Sequence, residues 1–268
     1  MLRDILPSPV RLLPVALSLC ALALVGCDDG STSSSGDDPG KKDKVAFSSI
    51  SEIYGSLDSA ETVVFLIRDA ADSVTPRGER HLPAKAAEAA RKFGAALPKG
   101  ETIFYGVPVD ESTAETVTNI AVGHEDTVDS TLMAHVASLE NDHLFRVSVD
   151  SLESFAAAEG LDGARELVSR WAYGDDSWPE LFYEILTRGK VALGEATKDF
   201  LKWEHISVLV AEEMLVMPLV VYASDRKVDL RYFDDGNWLA PLSGLAGVIR
   251  DQKIDRYVPL AAPTGAIE

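Results

Sequence analysis

Short, mostly apolar runs rich in β-branched and aromatic residues mark three places along the chain as strands. The runs are Thr62–Ile67, Thr102–Tyr105 and Ile206–Ala211, the last interrupted only by one serine. Runs of this length, rich in β-branched and aromatic residues, are typical of strands that are buried on both faces, as in a parallel sheet. The pattern therefore predicts a sheet whose central strands are covered on each side.

Between these runs the apolar positions recur every three or four residues, which indicates helices. A helix is predicted after Pro83, a residue tolerated in a first turn, and a second one at Glu111–Val122. The stripe of the first helix consists of Ala86, Ala89, Ala90, Phe93 and Leu97. Because strands and helices alternate, the predicted fold class is α/β, a three-layer α/β/α sandwich with a mostly parallel sheet.

The second half of the chain contains further helical patterns and late strands. Residues 150–204 are predicted to form a helical insertion with helices at Leu152–Glu159, Gly163–Tyr173, Trp178–Thr187 and Leu193–Trp203. The elements predicted after the insertion are a helix at Met214–Tyr222 and strands at Val228–Phe233, Trp238–Ile249 and Lys253–Leu260. A hairpin turn is predicted at residues 234–237, Asp-Asp-Gly-Asn.

The first residues have the pattern of an export signal. Arg3 and Arg11 precede a mostly apolar run, Leu12–Val25, which has the length of a signal-peptide core and is short for a membrane span. The run ends in Leu-Val-Gly-Cys at Cys27, which resembles a bacterial lipobox. The resemblance implies cleavage before Cys27, lipid on its sulfur, and a protein anchored in the bacterial cell envelope. Which membrane, inner or outer, stays open.

These features divide the chain into three parts. Residues 1–26 are predicted to be a lipoprotein signal peptide, 27–44 the lipidated cysteine with a flexible tether, and 45–268 the folded domain. The tether is rich in serine, glycine and aspartate, with a single proline as its only apolar side chain after Cys27. Such a composition cannot form a packed core, so the tether is expected to be flexible.

Charge and cysteine usage exclude several functions. Asp and Glu outnumber Lys and Arg 43 to 25, for a net charge of −18. A nucleic-acid partner is therefore not expected, since phosphate binding needs clustered basic residues. Both cysteines, Cys20 and Cys27, lie within the first 27 residues, so the folded part has no disulfide framework and no cysteine-based zinc site. No cofactor and no metal are predicted.

The motifs at the strand ends resemble those of the histidine phosphatase superfamily, with its phosphoglycerate-mutase-like fold. In that family the first strand ends in Arg-His-Gly or Arg-His-Ala, and here it ends in Arg68-Asp69-Ala70. The family's following helix is matched in spacing from Leu82-Pro83 to Phe93-Gly94, with 75–78 as an alternative register. Tyr105 to Glu111 is similar to the family's second strand and loop, and Ala211-Glu212-Glu213 to the late strand end.

Each departure from the family pattern falls on a residue that acts on phosphate. The resemblance places Asp69 at the nucleophilic histidine, Glu111 at the second arginine and Glu212 at the second histidine, while Arg68 is kept. Glu213 stands beside Glu212, and Arg77 with Arg80 in the preceding loop could clamp an anion. The candidate binding residues are therefore Arg68, Asp69, Arg77, Glu111, Glu212 and Glu213. The chain's five histidines fall at none of the catalytic positions.

Three interpretations follow from this inverted pocket. The first is a non-catalytic pseudophosphatase, in which Arg68 pairs with the carboxylates and the protein acts in binding or scaffolding. The second is a pocket repurposed for a cation, an amine or a sugar. The third is a residual hydrolase, either a phosphatase with an aspartyl nucleophile or a carboxylate-based enzyme. The predicted partners are the membrane, through lipid on Cys27, and an unknown envelope partner or small ligand.

Overall fold

The computed structural model describes residues 44–70, 73–74, 80–108, 111–126, 133–140, 143–156, 160–197 and 204–263. The predicted signal peptide, Cys27 and nearly all of the tether lie outside these ranges, so the three-part division of the chain stays a prediction. The helices are α1 (Ile50–Gly55), α2 (Ala84–Ala96), α3 (Glu111–His124), α4 (Val149–Phe155), α5 (Gly160–Ala172), α6 (Ile185–Thr197), α7 (Glu213–Ala223) and α8 (Tyr232–Asp235). The strands are β1 (Thr62–Arg68), β2 (Ser73–Val74), β3 (Arg80–His81), β4 (Ile103–Val107), β5 (Met133–His135), β6 (Ile206–Ala211), β7 (Gly244–Arg250) and β8 (Lys253–Leu260).

A mixed sheet of six strands forms the middle layer, in the order β5-β4-β6-β1-β7-β8. Strands β5, β4, β6 and β1 are parallel to one another. Strand β7 pairs antiparallel with β1, and the edge strand β8 pairs antiparallel with β7. Strands β2 and β3 form a separate small pair. The predicted α/β fold with a mostly parallel sheet is thereby confirmed.

The side chains of the central strands divide between two hydrophobic cores, because successive residues point to opposite faces. Val64 and Leu66 of β1 pack with α5, α6 and α7, while Phe65 and Ile67 pack with α2 and α3. Helices therefore cover both faces, which explains why β1 and β6 read as continuous apolar runs. The face lined by Val64 and Leu66 also carries α4, α5 and α6. Apart from Val149, these helices fall in the range predicted as a helical insertion.

Three of the predicted elements are wrong, and a fourth, the strand predicted at Trp238–Ile249, begins only at Gly244. Residues 178–184 form turns and a single bridge between Phe182 and Phe145 rather than a helix, and α6 begins only at Ile185. No strand forms at 228–233, where α8 begins at Tyr232. The late hairpin turns at Asp251 and Gln252, both left-handed with φ of 49° and 63°, and not at residues 234–237.

A buried carboxylate joins β1 to the antiparallel edge at the end of the sheet opposite the candidate site. The Glu61 side chain is 1% exposed and accepts hydrogen bonds from Arg250 and Arg256 at 2.8 Å each. The pKa of Glu61 is lowered to about 2, most strongly by the hydrogen bond from Arg256 and further by those from the Asp58 amide and from Arg250. The residue is therefore ionised throughout the physiological range and holds three segments together.

Within the described ranges, no helix has both the length and the hydropathy that a bilayer crossing requires.

Candidate functional site

The candidate site lies where two adjacent parallel strands, β1 and β6, reach their carboxyl ends. Arg68 is opposite Ala211 in the strand register, and the Asp69 amide donates to the Ala211 carbonyl at 2.9 Å. Glu212 and Glu213 follow Ala211 directly and begin α7. Ligand clefts of open α/β sheets lie at this edge, so the fold brings Arg68, Asp69 and both glutamates to the expected place.

The end of β1 is held on both sides by backbone hydrogen bonds. Arg68 donates its amide to Ser243, at 2.9 Å, and accepts from the Leu242 amide at 3.2 Å. Asp69, which the sequence motif is predicted to place at the family's nucleophile position, is 7% exposed. A carboxylate is thus held nearly out of solvent beside the last residue of the neighbouring strand.

Arg68 points into an ion-pair cluster rather than toward open solvent. Its guanidinium forms a close salt bridge to Glu213 and also donates to the Leu239 carbonyl. The Glu213 carboxylate in turn accepts hydrogen bonds from Arg165 of α5, from Nε to Oε1 and from Nη2 to Oε2, each at 3.0 Å. The indole N–H of Trp238 donates to the same carboxylate at 3.1 Å. Glu213 is therefore bound by donors from three separate segments.

The cluster is partly buried and is supported by its neighbours. The side chains of Arg68 and Glu213 are 12% and 13% exposed. Arg165 lies 3.7 Å from Asp162, and Asp162 accepts a hydrogen bond from Tyr232 at 2.8 Å. That hydrogen bond raises the pKa of Tyr232, so Tyr232 stays protonated and continues to donate at neutral pH.

An open cleft of about 500 Å³ lies beside the cluster. Glu212 is the predicted site residue that lines it, together with the segment from Phe145 to Asp150. Arg146 in that segment stacks over the Tyr183 ring at 4.4 Å and donates from Nε to the Phe182 carbonyl at 3.1 Å. Glu212 therefore borders the cleft, directly before Glu213, which binds the two arginines.

Part of the predicted site lies outside what the structure describes. Glu111 is the first residue of α3, which follows the strand next to β6, but its side chain is outside the described residues. Arg77 and Cys27 are outside them as well. Within the part of the chain that the structure describes, no three histidine, aspartate or glutamate side chains lie close enough together to hold a metal ion.

Sequence reasoning missed two residues of the cluster, Arg165 and Trp238. Arg165 lies within the predicted helical insertion, and the pattern around Trp238 predicts a strand in which the indole serves packing. Neither residue belongs to a motif, and both are far from Glu213 in the chain, by 48 and 25 residues. Only the packing of α5 and the 236–243 segment against the start of α7 brings them together.

Comparison with known proteins gives similarity in structure alone. No protein-family model matches the chain. No curated protein matches it either. Among solved structures, a phosphoglycerate mutase from Bacillus anthracis str. Sterne is 13% identical, with a TM-score of 0.48, over 76% of this chain and 93% of its own.

Two phosphatases give similar values. A phosphoserine phosphatase variant from Entamoeba histolytica, in complex with phosphoserine, is 11% identical with a TM-score of 0.48, over 77% of this chain and 100% of its own. An alpha-ribazole phosphatase from Shigella flexneri is 11% identical with a TM-score of 0.45, over 77% and 99%. These proteins are of the histidine phosphatase and phosphoglycerate-mutase-like kind, which is the superfamily that the motifs resemble. At such identities they assign no role to any residue of this chain.

Proposed function

We propose that this chain is a membrane-anchored lipoprotein whose histidine-phosphatase-like domain does not transfer phosphoryl groups and instead acts by binding or scaffolding. One observation carries the proposal. Carboxylates occupy the ends of β1 and β6, and the arginine kept from the family pattern, Arg68, is already paired with Glu213. The domain thus has acidic groups where phosphate chemistry needs basic ones.

The electrostatics oppose a phosphate ligand at these strand ends. Catalysis of phosphoryl transfer depends on positioning and on neutralising the charge of the phosphoryl oxygens. A phosphate dianion placed beside Asp69 and Glu212 would meet like charges, and two such charges about 4 Å apart repel by about 4 kcal/mol at an effective dielectric of about 20. Arg68 offers little compensation, because its guanidinium already contacts the Glu213 carboxylate and the Leu239 carbonyl.

We expect the purified full chain, in detergent, to hydrolyse a generic phosphomonoester no faster than the buffer does between about pH 4 and 8. Loss of one well-placed donor costs about 10²–10³ in rate, and here several are absent together, although their effects need not add. The triple variant Asp69→His, Glu111→Arg, Glu212→His restores the family's charges and is expected to exceed the wild-type rate. The measurement is release of inorganic phosphate under steady-state conditions.

The matched control is Asp69→Asn, which keeps the side-chain shape and removes the charge. Wild-type turnover that this substitution abolishes would overturn the proposal and identify Asp69 as an aspartyl nucleophile. Equal background rates for wild type and Asp69→Asn support a domain without phosphatase activity.

Anchoring through Cys27 makes a second, separate prediction. We expect Cys27→Ala to move the protein from the membrane fraction to the soluble fraction of expressing cells, because stable anchoring requires two or more lipid chains on the mature N-terminus. Cys20→Ala is the matched control, since it also removes a cysteine of the signal region but leaves the lipobox intact. If Cys27→Ala still sediments with membranes as wild type does, lipid on Cys27 is not the anchor.

A further inference from the structure

We propose that Glu213 is a built-in ligand that fills an oxyanion-binding site formed by Arg68, Arg165 and Trp238. The inference deepens the proposed function and rests on it, because it gives a reason why the arginine at the end of β1 is closed to external phosphate. The ligand class of the site is a small oxyanion, either a carboxylate or a phosphate.

The donors around Glu213 form the arrangement that proteins use to recognise a carboxylate or a phosphate. Arg165 approaches it through two nitrogens: Nε lies 3.0 Å from Oε1, and Nη2 lies 2.8 Å from Oε1 and 3.0 Å from Oε2. Both carboxylate oxygens are thus contacted by one guanidinium, as in strong charge-assisted pairs. Arg68 and the indole N–H of Trp238 both contact the Oε2 atom. Three side chains from separate segments thus converge on one anion.

The donors are held by contacts that do not involve Glu213. Arg68 also donates to the Leu239 carbonyl, and the Arg165 guanidinium lies near Asp162 and over the Trp238 ring, 5.8 Å from its centroid. The Trp238 ring packs edge-on against Tyr232, with centroids 5.8 Å apart. The site is therefore expected to keep its shape when the Glu213 carboxylate is removed.

Charge and burial favour refilling of the vacated position. Arg68 and Arg165 share the Glu213 carboxylate, so loss of its charge removes an anion from both guanidiniums, while Asp162 stays 3.7 Å from Arg165. The side chains of Arg68 and Arg165 are 12% and 22% exposed there. The site also adjoins the first turn of α7, an 11-residue helix whose amino-terminal dipole favours an anion. Converging cations with little access to water bind an oxyanion more strongly than surface cations do.

The test compares the full chain in detergent as wild type and as Glu213→Ala. Each is titrated with sodium acetate, sodium formate and inorganic phosphate at constant ionic strength in chloride, and binding is measured by calorimetry and by the thermal unfolding midpoint. We expect Glu213→Ala to bind acetate or formate at least about 10-fold more tightly than wild type does, in line with one charge-assisted hydrogen-bond set. Phosphate binding by the variant would extend the ligand class to oxyanions in general and likewise supports the proposal.

Controls separate a built site from a mere change in net charge. Glu166→Ala removes an exposed glutamate paired with Arg170 at 2.7 Å and is expected to gain no acetate binding. Adding Arg165→Gln to Glu213→Ala is expected to abolish the gained binding. If Glu213→Ala does not fold, Glu213→Ser, with a residue favoured near helix starts, replaces it in the same titrations.

A folded Glu213→Ala or Glu213→Ser variant that binds acetate, formate and phosphate no better than chloride would overturn the inference. The phosphatase assay on wild type is read separately. Wild-type hydrolysis together with gained acetate binding would overturn the proposed function alone, whereas absence of both hydrolysis and gained binding would overturn the inference alone.

Discussion

Replacing Gly94 with alanine is expected to destabilise the protein by about 3 kcal/mol or more, at the upper end for overpacked positions. A Cβ atom at Gly94 in α2 would stand 1.9 Å from the Ile120 carbonyl oxygen and 2.8 Å from the His124 amide nitrogen of α3. These are backbone atoms of a helix, which cannot rotate away as a side chain does. The two helices must therefore separate, and the core beneath α2 and α3 loses its packing.

Gly123 of α3 faces α2 equally closely, since a Cβ atom added there would lie 2.0 Å from the Arg91 carbonyl oxygen. Gly194 provides the matched control, because a Cβ added there, inside α6, would meet no other described part of the chain within 4 Å. Gly194→Ala is expected to stabilise the protein by about 0.5–1 kcal/mol, from helix propensity alone. Urea unfolding of the variants measures both effects, and a similar small change at all three positions would contradict the close helix contact.

Replacing Trp171 with alanine is expected to cost about 3–5 kcal/mol, as for other large aromatic residues removed from a core. The Trp171 side chain of α5 is 4% exposed and stacks on Phe182, with ring centroids 4.8 Å apart. Its indole N–H donates to the Tyr183 carbonyl at 2.9 Å. One side chain thus fixes the turn segment at 178–184 to α5 by packing and by a hydrogen bond.

The variant Trp171→Phe separates these two contributions. It keeps an aromatic ring against Phe182 and Phe145 but leaves the Tyr183 carbonyl without this donor, so a smaller loss of about 1–3 kcal/mol is expected. The unfolding free energies of the two variants are compared by denaturant titration with near-ultraviolet circular dichroism. If Trp171→Ala were no more destabilising than Trp171→Phe, the stacking would not contribute as the structure indicates.

The elements that could be predicted from the sequence are those with a strong local signal. Strand β6 has the predicted bounds, and β1 differs from its prediction by one residue, because an apolar run buried on both faces marks the length of a strand directly. Helices α2 and α3 followed from their apolar stripes and from Pro83, which is the N-cap residue of α2. Alternation of these elements along the chain was then sufficient to predict the α/β class.

The elements that were predicted wrongly depend on contacts between residues that are distant in the chain. Residues 178–184 have the local signs of a helix start, with Ser177 as a cap and Pro179 in the first turn, yet the segment bridges to Phe145 and packs on Trp171. The turn at Asp251 and Gln252 lacks the glycine that a left-handed pair usually takes. Pairing of β7 with β1 and β8 fixes that turn through tertiary structure.

That acidic residues follow β1 and β6 could be predicted from the chain alone, since Asp69 comes two residues after one apolar run and Glu212 and Glu213 directly after another. The chain alone also indicates that these strand ends share one edge, because parallel strands present their carboxyl ends together. The close salt bridge between Glu213 and Arg68, by contrast, follows from tertiary packing. That packing places α5 and the segment around Trp238 against the first turn of α7, a juxtaposition that no local pattern encodes.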